Sequence, residues 1–445
     1  MSGEQFDACV VGAGPAGSIA AQRLAKEGGV SVLLLDAQKF PRYKCCAAGV
    51  LWHDIEDFPE IKPVIENFNY KLVAHSPSLV HEFSVQSGEH YLMGQTYRTI
   101  LDTHLAGLAK DAGADFRDNT RVTGLELLDD RKGIKLTIHD NMSGSDSEVI
   151  SRVVIGADGV KSIVRKSHPD FKPWKKADLL IASELDVPMN ESAILETFGE
   201  EHAVHMYLYF HDLPGYAWIF TKKKSVSLGM GTMLEYNGKT YGGKMLAGAF
   251  KEYCNYLEST GMIPPDAIQL DRTSYALIPC TSLRQATTYG RNTLLAGDAA
   301  GAFVSALSGE GIYYSMLSGK YAAQIAATAL KKNDLSPAML GSYETVWKAR
   351  LERELNYQYF AKRYMLESKR RCEKAVRWGM HDATIQRFMG VFFTGVYEID
   401  RRFMARLYYH YMRLKIKDML GRLGSRENKE DYKTLEVSMR RAWQM

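Results

Sequence analysis

The 445-residue chain is 46% hydrophobic and 24% charged, ordinary proportions for a globular protein and enough length for two or three domains. Its six cysteines (Cys9, Cys45, Cys46, Cys254, Cys280 and Cys372) show no C-x-x-C spacing and its twelve histidines no usable ligand spacing, which argues against a metal site or a disulfide framework. No run of about 18 apolar residues occurs and no signal-like segment precedes the first strand, so no spanning helix is expected and the setting reads as reducing and cytoplasmic.

The organising stretch runs from Phe6 to Asp36. Ala8–Val11 reads as a buried strand, Ser18–Lys26 as a helix, and Val32–Leu35 as a second strand ending at Asp36. Between strand and helix, Gly12, Gly14 and Gly17 spell G-x-G-x-x-G. The first glycine permits a tight turn, the second lets backbone approach a pyrophosphate, and the third lets helix and strand pack closely. The helix N-terminus offers unpaired N–H groups to the phosphates. Asp36, 19 residues after Gly17, is placed to accept hydrogen bonds from an adenosine ribose, which disfavours a 2′-phosphate and leaves FAD and NAD open.

KFPRYKCCAAGV (Lys39–Val50) reads as a loop of small residues returning toward the cofactor. Leu72–Gln95 alternates enough for strands, Tyr97–Phe116 reads as a helix with Leu101, Leu105 and Leu108 on one face, and Arg121–Leu128 and Ile134–His139 read as strands. Arg152–Ile155 is a further strand running into GADG, where a phosphate-bearing ligand or a plain turn would serve equally. From Leu179 to about Asp271 the pattern becomes alternation rich in Tyr, Phe and Val, the mark of an antiparallel sheet. Within it Tyr216, Trp218 and Phe220 alternate, so they share one face: a sheet packed on a core, or the wall of an apolar channel. Lys222–Lys224 is a charge run, either a solvated turn or a seat for a lipid phosphate. Asn292–Ala296 is a strand leading to GDAAG, with Asp298, and SGEGI, which opens a long helix.

Everything after Ser336 reads as helical. From Thr345 to Met445 there are 23 Lys and Arg against 12 Asp and Glu, a net +11, whereas the rest carries 33 against 40, a net −7. The stretch Arg387–Met419 mixes basic residues with Phe, Tyr, Met and Leu, and its amphipathic part fits a membrane surface or a docking site on the first domain equally. No recognition fold accompanies the charge, so nucleic acid is not an expected partner.

GAGPAG, GADG and GDAAG…GEGI together resemble the two-domain FAD proteins related to aromatic hydroxylases, over roughly the first three quarters of the chain. Two segments narrow the resemblance. PRYKCCAAG is similar to the Pro-x-x-Lys-x-Cys-Gly-Gly loop of the geranylgeranyl reductase family, through Lys44 and Cys46. GYAWIFTKKKSVSLG resembles that family's Tyr-x-Trp-x-Phe-Pro-Lys-x6-Gly motif, through Tyr216, Trp218, Phe220, Lys222 and Gly229. The chain departs at Thr221, where the family has proline, and at Ala47 and Ala48, where it has glycine. The archaeal type, which acts on digeranylgeranylglycerophospholipids, is the best match.

The resemblance implies an α/β, mixed α+β, chain: a Rossmann-like FAD-binding domain (1–178 with 272–335), an antiparallel-sheet substrate domain (179–271, with 72–95 a candidate addition) and a C-terminal helical region (336–445). It implies that Gly12, Gly14, Ala16 and Gly17 hold the FAD pyrophosphate, Asp36 the AMP ribose, and Arg98 the phosphate or ribityl region. Val122 would touch adenine, Asp298 the ribityl chain, the N–H groups of Gly311 and Ile312 flavin N1 and O2, and Cys46, Ala47 and Gly49 the ring. Tyr216, Trp218, Phe220 and Lys222 would bind an isoprenoid lipid. Tyr216, Trp218 and Cys46 are the catalytic candidates, although a cysteine at position 46 also suits a plain buried residue. The flavin would be reduced by an external donor, ferredoxin or NAD(P)H, since no second G-x-G-x-x-G occurs. The expected activity is saturation of geranylgeranyl chains of membrane ether lipids, on or near the inner membrane face. A monooxygenase or halogenase of the same fold, or a flavoprotein passing electrons to a quinone, are the alternatives.

Overall fold

A mainly parallel sheet and a mainly antiparallel one, the second walling a cavity, organise the computed structural model, which describes residues 4–27, 29–84, 91–128, 133–280, 287–366, 368–382, 384 and 401–420. The parallel sheet is built around β1 (Glu4–Val11), followed by α1 (Pro15–Lys26) and β2 (Val32–Leu35). β1 starts four residues before the apolar run because Glu4, Gln5 and Phe6 still pair with Val149, Ile150 and Ser151. α1 starts at Pro15, whose fixed φ suits a first helical position and whose missing N–H would have had no partner there. On one side β1 pairs in parallel with β2, which pairs with Asp115–Arg117; on the other it pairs with Ser145–Gly156, which pairs with Thr293–Leu295. Ala8, Cys9, Val10, Leu33, Leu34, Leu35, Val153, Val154 and Ile155 are buried, as expected of strands covered on both faces.

Helix Arg98–Asp111 buries Leu101 and Leu105, with Ala109 completing the face, while Leu108 is half-buried. Helix Ile312–Lys331 packs on α1 so closely that a Cβ on Gly319 would lie 2.1 Å from the Ala16 carbonyl oxygen.

The second sheet runs Ser274–Pro279, Leu179–Pro188, Ser225–Met233, Gly215–Thr221, Val204–Leu208, Lys71–His75, Val80–Ser84. It draws strands from both sides of the 179–271 stretch, and one junction, Val204–Leu208 with Lys71–His75, is parallel rather than antiparallel. Without the hairpin at 71–84 the Val204–Leu208 edge would present unpaired backbone groups. One face of this sheet, with Ala217, Ile219 and Leu228, is covered by helix Gly243–Ser259 through Leu246, Phe250, Tyr253 and Leu257. Burial of each of these large side chains contributes about 1.5–3 kcal/mol. The other face looks into the cavity.

The helical stretch after Ser336 divides between the two sheets. Helix Pro337–Met365 drives Tyr343, Trp347, Leu351 and Leu355 into the core of the parallel sheet. Helices Lys369–His381 and Arg401–Leu420 instead join Leu72, Met206 and Leu208 of the second sheet, through Cys372, Val376, Trp378, Leu407 and Tyr411. The last helix is thus docked, but beside the second sheet and not on the first. Residues 387–400 of the expected amphipathic stretch lie outside the described residues. No helix among the described residues is long and apolar enough to cross a membrane.

Candidate active site

The three glycines of the β1–α1 turn answer to different constraints. Gly12 has φ +99°, and a Cβ there would lie 2.4 Å from the Ala157 carbonyl oxygen; at Gly17 it would lie 1.8 Å from the Gly12 carbonyl oxygen. The protein's own backbone demands both. Gly14 has φ −76°, open to any residue, and the nearest atoms to a Cβ there are guanidinium nitrogens, Arg42 at 3.5 Å and Arg98 at 4.0 Å. Nothing in the chain's own backbone therefore requires a glycine at position 14, and two guanidinium groups lie beside the open space. Gly14 caps α1 without a side-chain partner, and Pro15 has no N–H, so the amides of Ala16 and Gly17 are the ones an anion at this helix start would meet.

Asp36 is buried at the exit of β2 and accepts from the N–H groups of Ala13 and Gln38, each at 2.9 Å. Arg42 links it to Asp102, with Nε 3.3 Å from Asp36 and Nη1 2.9 Å from Asp102, and Arg98 closes the set with Nη2 2.7 Å from Asp102. Val122 is buried at this same end, since Thr120 N–H donates to the Asp36 carbonyl at 2.8 Å. Asp158 of GADG spends one carboxylate oxygen on the N–H groups of Ile163 and Val164, so this turn caps a helix and buttresses Gly12.

Beyond Pro15 and Arg98 a cavity of about 200 Å³ opens against the second sheet. Cys46, Ala47 and Gly49 line one side, and Asp298, Gly311 and Ile312 another. Helix Ile312–Lys331 starts there with Gly311 as N-cap and no capping side chain, aiming free amides inward. Lys44 Nζ lies 3.3 Å from Asp298. Ala48 holds φ +56°, which explains why glycine suits this loop position, and alanine bears it at roughly 1–2 kcal/mol. Cys45 and Cys46 are both free thiols. Glu310, just before Gly311, is held by His53 Nε2 at 3.2 Å. Burial opposes a charge on His53, but Glu310 and Asp54 push it up to about 10, so it is an imidazolium at neutral pH.

The remaining wall is the aromatic strand. Tyr216, Trp218 and Phe220 all face the cavity. Tyr216 donates its hydroxyl to the Ser308 carbonyl, tying the strand to the loop before Gly311. Trp218 lies flat across Gly229 of the neighbouring strand, where a Cβ would fall 2.0 Å from its ring. That overlap is the physical reason for glycine at the end of the aromatic motif. Thr221, in the position of the family's proline, is buried and donates to the His202 carbonyl at 2.9 Å while accepting from Asn69 at 2.9 Å.

Lys222 is neither in the cavity lining nor a solvated residue. It is buried, with its ammonium 3.0 Å from Asp186 and 4.1 Å from the centre of the Tyr97 ring, while Lys223 and Lys224 are exposed. Desolvation is tolerable only because carboxylate and ring replace water.

Sequence reasoning passed over Glu184 and Arg42. Glu184 shares the cavity face with Leu180 and Ala182. Two acids at alternate positions in LLIASELDVP, Glu184 and Asp186, were the available signal.

A bare Gly14 flanked by guanidiniums, a buried acid after β2, and a second uncapped helix start at an apolar cavity together fit a dinucleotide with a flat ring, so the fold and site are those of an FAD-dependent oxidoreductase. A family model described as "FAD binding domain" matches residues 5–354. The chain is 31% identical to digeranylgeranylglycerophospholipid reductase 2 of Methanococcoides burtonii over 81% of its length and 84% of that protein's. It is 30% identical to geranylgeranyl diphosphate reductase of Rhodobacter capsulatus, over 77% of this chain and 82% of that one. The crystal structure of a geranylgeranyl bacteriochlorophyll reductase-like protein from Thermoplasma acidophilum shares the fold, with a TM-score of 0.71, 23% identity, and coverage of 84% of this chain and 91% of that one. The chain belongs to the geranylgeranyl reductase family of FAD proteins.

Proposed function

We propose that the protein saturates carbon–carbon double bonds in the geranylgeranyl chains of membrane ether lipids. The observation that carries the reading is the apolar cavity walled by Tyr216, Trp218 and Phe220, facing the Cys46–Gly49 loop and the Gly311–Ile312 amides. An isolated alkene offers no group for hydrogen bonds to polarise, so the protein contributes position and exclusion of water. Reduced FAD, when bound, supplies the hydride. Gly14, Ala16, Gly17 and Arg98 would hold its pyrophosphate, Asp36 its ribose, Val122 its adenine and Asp298 its ribityl chain. Gly311 and Ile312 would set positive amide dipoles against the ring, and Cys46, Ala47 and Gly49 would keep the loop thin beside it.

The electrons come from an external donor, ferredoxin or NAD(P)H. The last helix suits a membrane face: Leu407 and Tyr411 dock it, while Arg402, Arg406, Tyr409, Arg413 and Ile416 form an exposed stripe. Flotation with anionic vesicles at low salt, lost at high salt, is the expected result, and no association at low salt would remove the membrane contact.

The deciding experiment is mass spectrometry of unsaturated ether lipid after anaerobic incubation with chemically reduced protein. A gain of two hydrogens per bond supports the reading. Oxygen-dependent hydroxylation, or electron transfer to quinone with the lipid unchanged, would replace it. Cys46→Ser is expected to keep FAD but slow alkene reduction about tenfold or more, because the loop beside the ring then sets the substrate less accurately. Unchanged turnover would show Cys46 to be a packing residue only.

A further inference from the structure

Glu184 is a buried carboxyl on the cavity wall formed by the second sheet, among Leu180, Ala182 and Trp218, and it is wired to the surface. Its side chain accepts from Ser227 Oγ at 3.0 Å and from the Tyr43 hydroxyl, and Ser274 Oγ lies 3.4 Å from it and 2.7 Å from the same hydroxyl. Glu184 is 1% exposed, whereas Tyr43 is 51% exposed. One side chain therefore touches both water and the buried acid. In register, Glu184 stands opposite Gly229, and Gly229 stands opposite Trp218, so the indole lying over Gly229 reaches toward the carboxyl.

We propose that Glu184 is the proton donor of this cavity and that Tyr43, with Ser274, is its link to solvent. The proposal rests on the reading of the site as one that saturates an alkene. The O–H bond of the Glu184 carboxylic acid breaks, and its proton forms the C–H bond on one alkene carbon. The other carbon takes the hydride of that reading. The carboxylate left behind takes the proton of the Tyr43 hydroxyl as water returns one to Tyr43, so the surface supplies one proton per bond reduced.

The groups acting on Glu184 are Tyr43 and Cys45 from the loop, Asp186 on its own strand, Lys222 just after the aromatic strand, and the hydroxyls of Ser227 and Ser274. Burial first, then the Asp186 carboxylate, hold Glu184 above the usual carboxylate range, against the opposing pull of Tyr43, Lys222 and Ser227. Burial also raises Tyr43 above its ordinary range and pushes Cys45 up to about 12, so both keep their protons at neutral pH. Activity is therefore expected to fall as pH rises through the titration of Glu184, because the donor form is the protonated one.

The test is Glu184→Gln and Tyr43→Phe in the full-length FAD-loaded protein. Glutamine keeps the shape and can still bond Ser227 and Tyr43, so a merely structural role survives it. Infrared difference spectra on H/D exchange should show a protonated carboxyl at neutral pH, absent in Glu184→Gln and slower to exchange in Tyr43→Phe; no such band in the unaltered protein overturns the proposal. In anaerobic single turnover, Glu184→Gln should bleach normally on chemical reduction yet reoxidise with lipid roughly 100-fold more slowly or worse, and lose the high-pH limb. A wild-type rate in Glu184→Gln overturns the proposal. If the unaltered protein itself fails to saturate lipid while the carboxyl band is present, the functional reading has failed and the proton path has not.

Discussion

Gly14→Val is expected to yield a folded protein that has lost its flavin. Position 14 has an extended backbone at φ −76° that valine adopts readily, and only the tips of two arginines lie within 4.0 Å of the new Cβ. Stability should move by about 1 kcal/mol or less, as for surface substitutions without a special feature. Binding should not survive, because the branched side chain occupies the place where a pyrophosphate meets the Ala16 and Gly17 amides and the two guanidiniums. The expected readout is unchanged circular dichroism with the visible flavin band missing after purification and reconstitution. Gly17→Ala is the contrasting case. Its Cβ would lie 1.8 Å from the Gly12 carbonyl oxygen, so the β1–α1 packing itself must open and cooperative unfolding should shift by several kcal/mol. If Gly14→Val retained stoichiometric FAD, the placement of the phosphates beside α1 would be wrong.

Gly229→Ala should separate cofactor binding from turnover. The new methyl would lie 2.0 Å from the Trp218 ring, so the indole must leave the surface of the central strand. Its way out is the cavity, because the opposite face of the sheet is packed by helix Gly243–Ser259. Overpacking of this kind costs about 1–3 kcal/mol, and the displaced ring fills the space meant for substrate. The expected result is a yellow protein with flavin content near wild type and alkene reduction down about 100-fold, a loss of the size that ångström-scale misplacement brings. Trp218→Ala in the same chain should restore part of the stability, since the clash then has no second party, and a double-mutant cycle would read that coupling. Additive effects would mean that the indole does not depend on Gly229.

The nucleotide half of the site was legible because it is local. Gly12, Gly14 and Gly17 act within one turn, and the strands either side announce themselves by unbroken apolar runs. The same local logic placed Tyr216, Trp218 and Phe220 on one face, although periodicity did not say which face met a cavity and which met helix Gly243–Ser259. GADG shows the limit from the other direction. Its pattern suited a phosphate or a plain turn equally, and in the fold one Asp158 oxygen accepts from the Ile163 and Val164 N–H groups of the following helix, whose N-cap is Ser162. Lys222 shows a second limit. A run of three lysines looks solvated until the fold sets Asp186 and Tyr97 around the first of them.

From its residues alone the chain determined the βαβ nucleotide unit and the aromatic triplet on one strand face; FAD rather than NAD, and the glycine that ends the aromatic motif, came from the resemblance to a known family. The unit and the triplet rest on side-chain periodicities spanning a few residues, which any reader of the string can count. Only the tertiary structure decided which strands complete the second sheet, where the terminal helix docks, and that Glu184 meets Tyr43 across 141 positions. Such contacts are chosen by the burial of apolar faces over the whole molecule, and no local spacing records which distant side chains that burial will bring together.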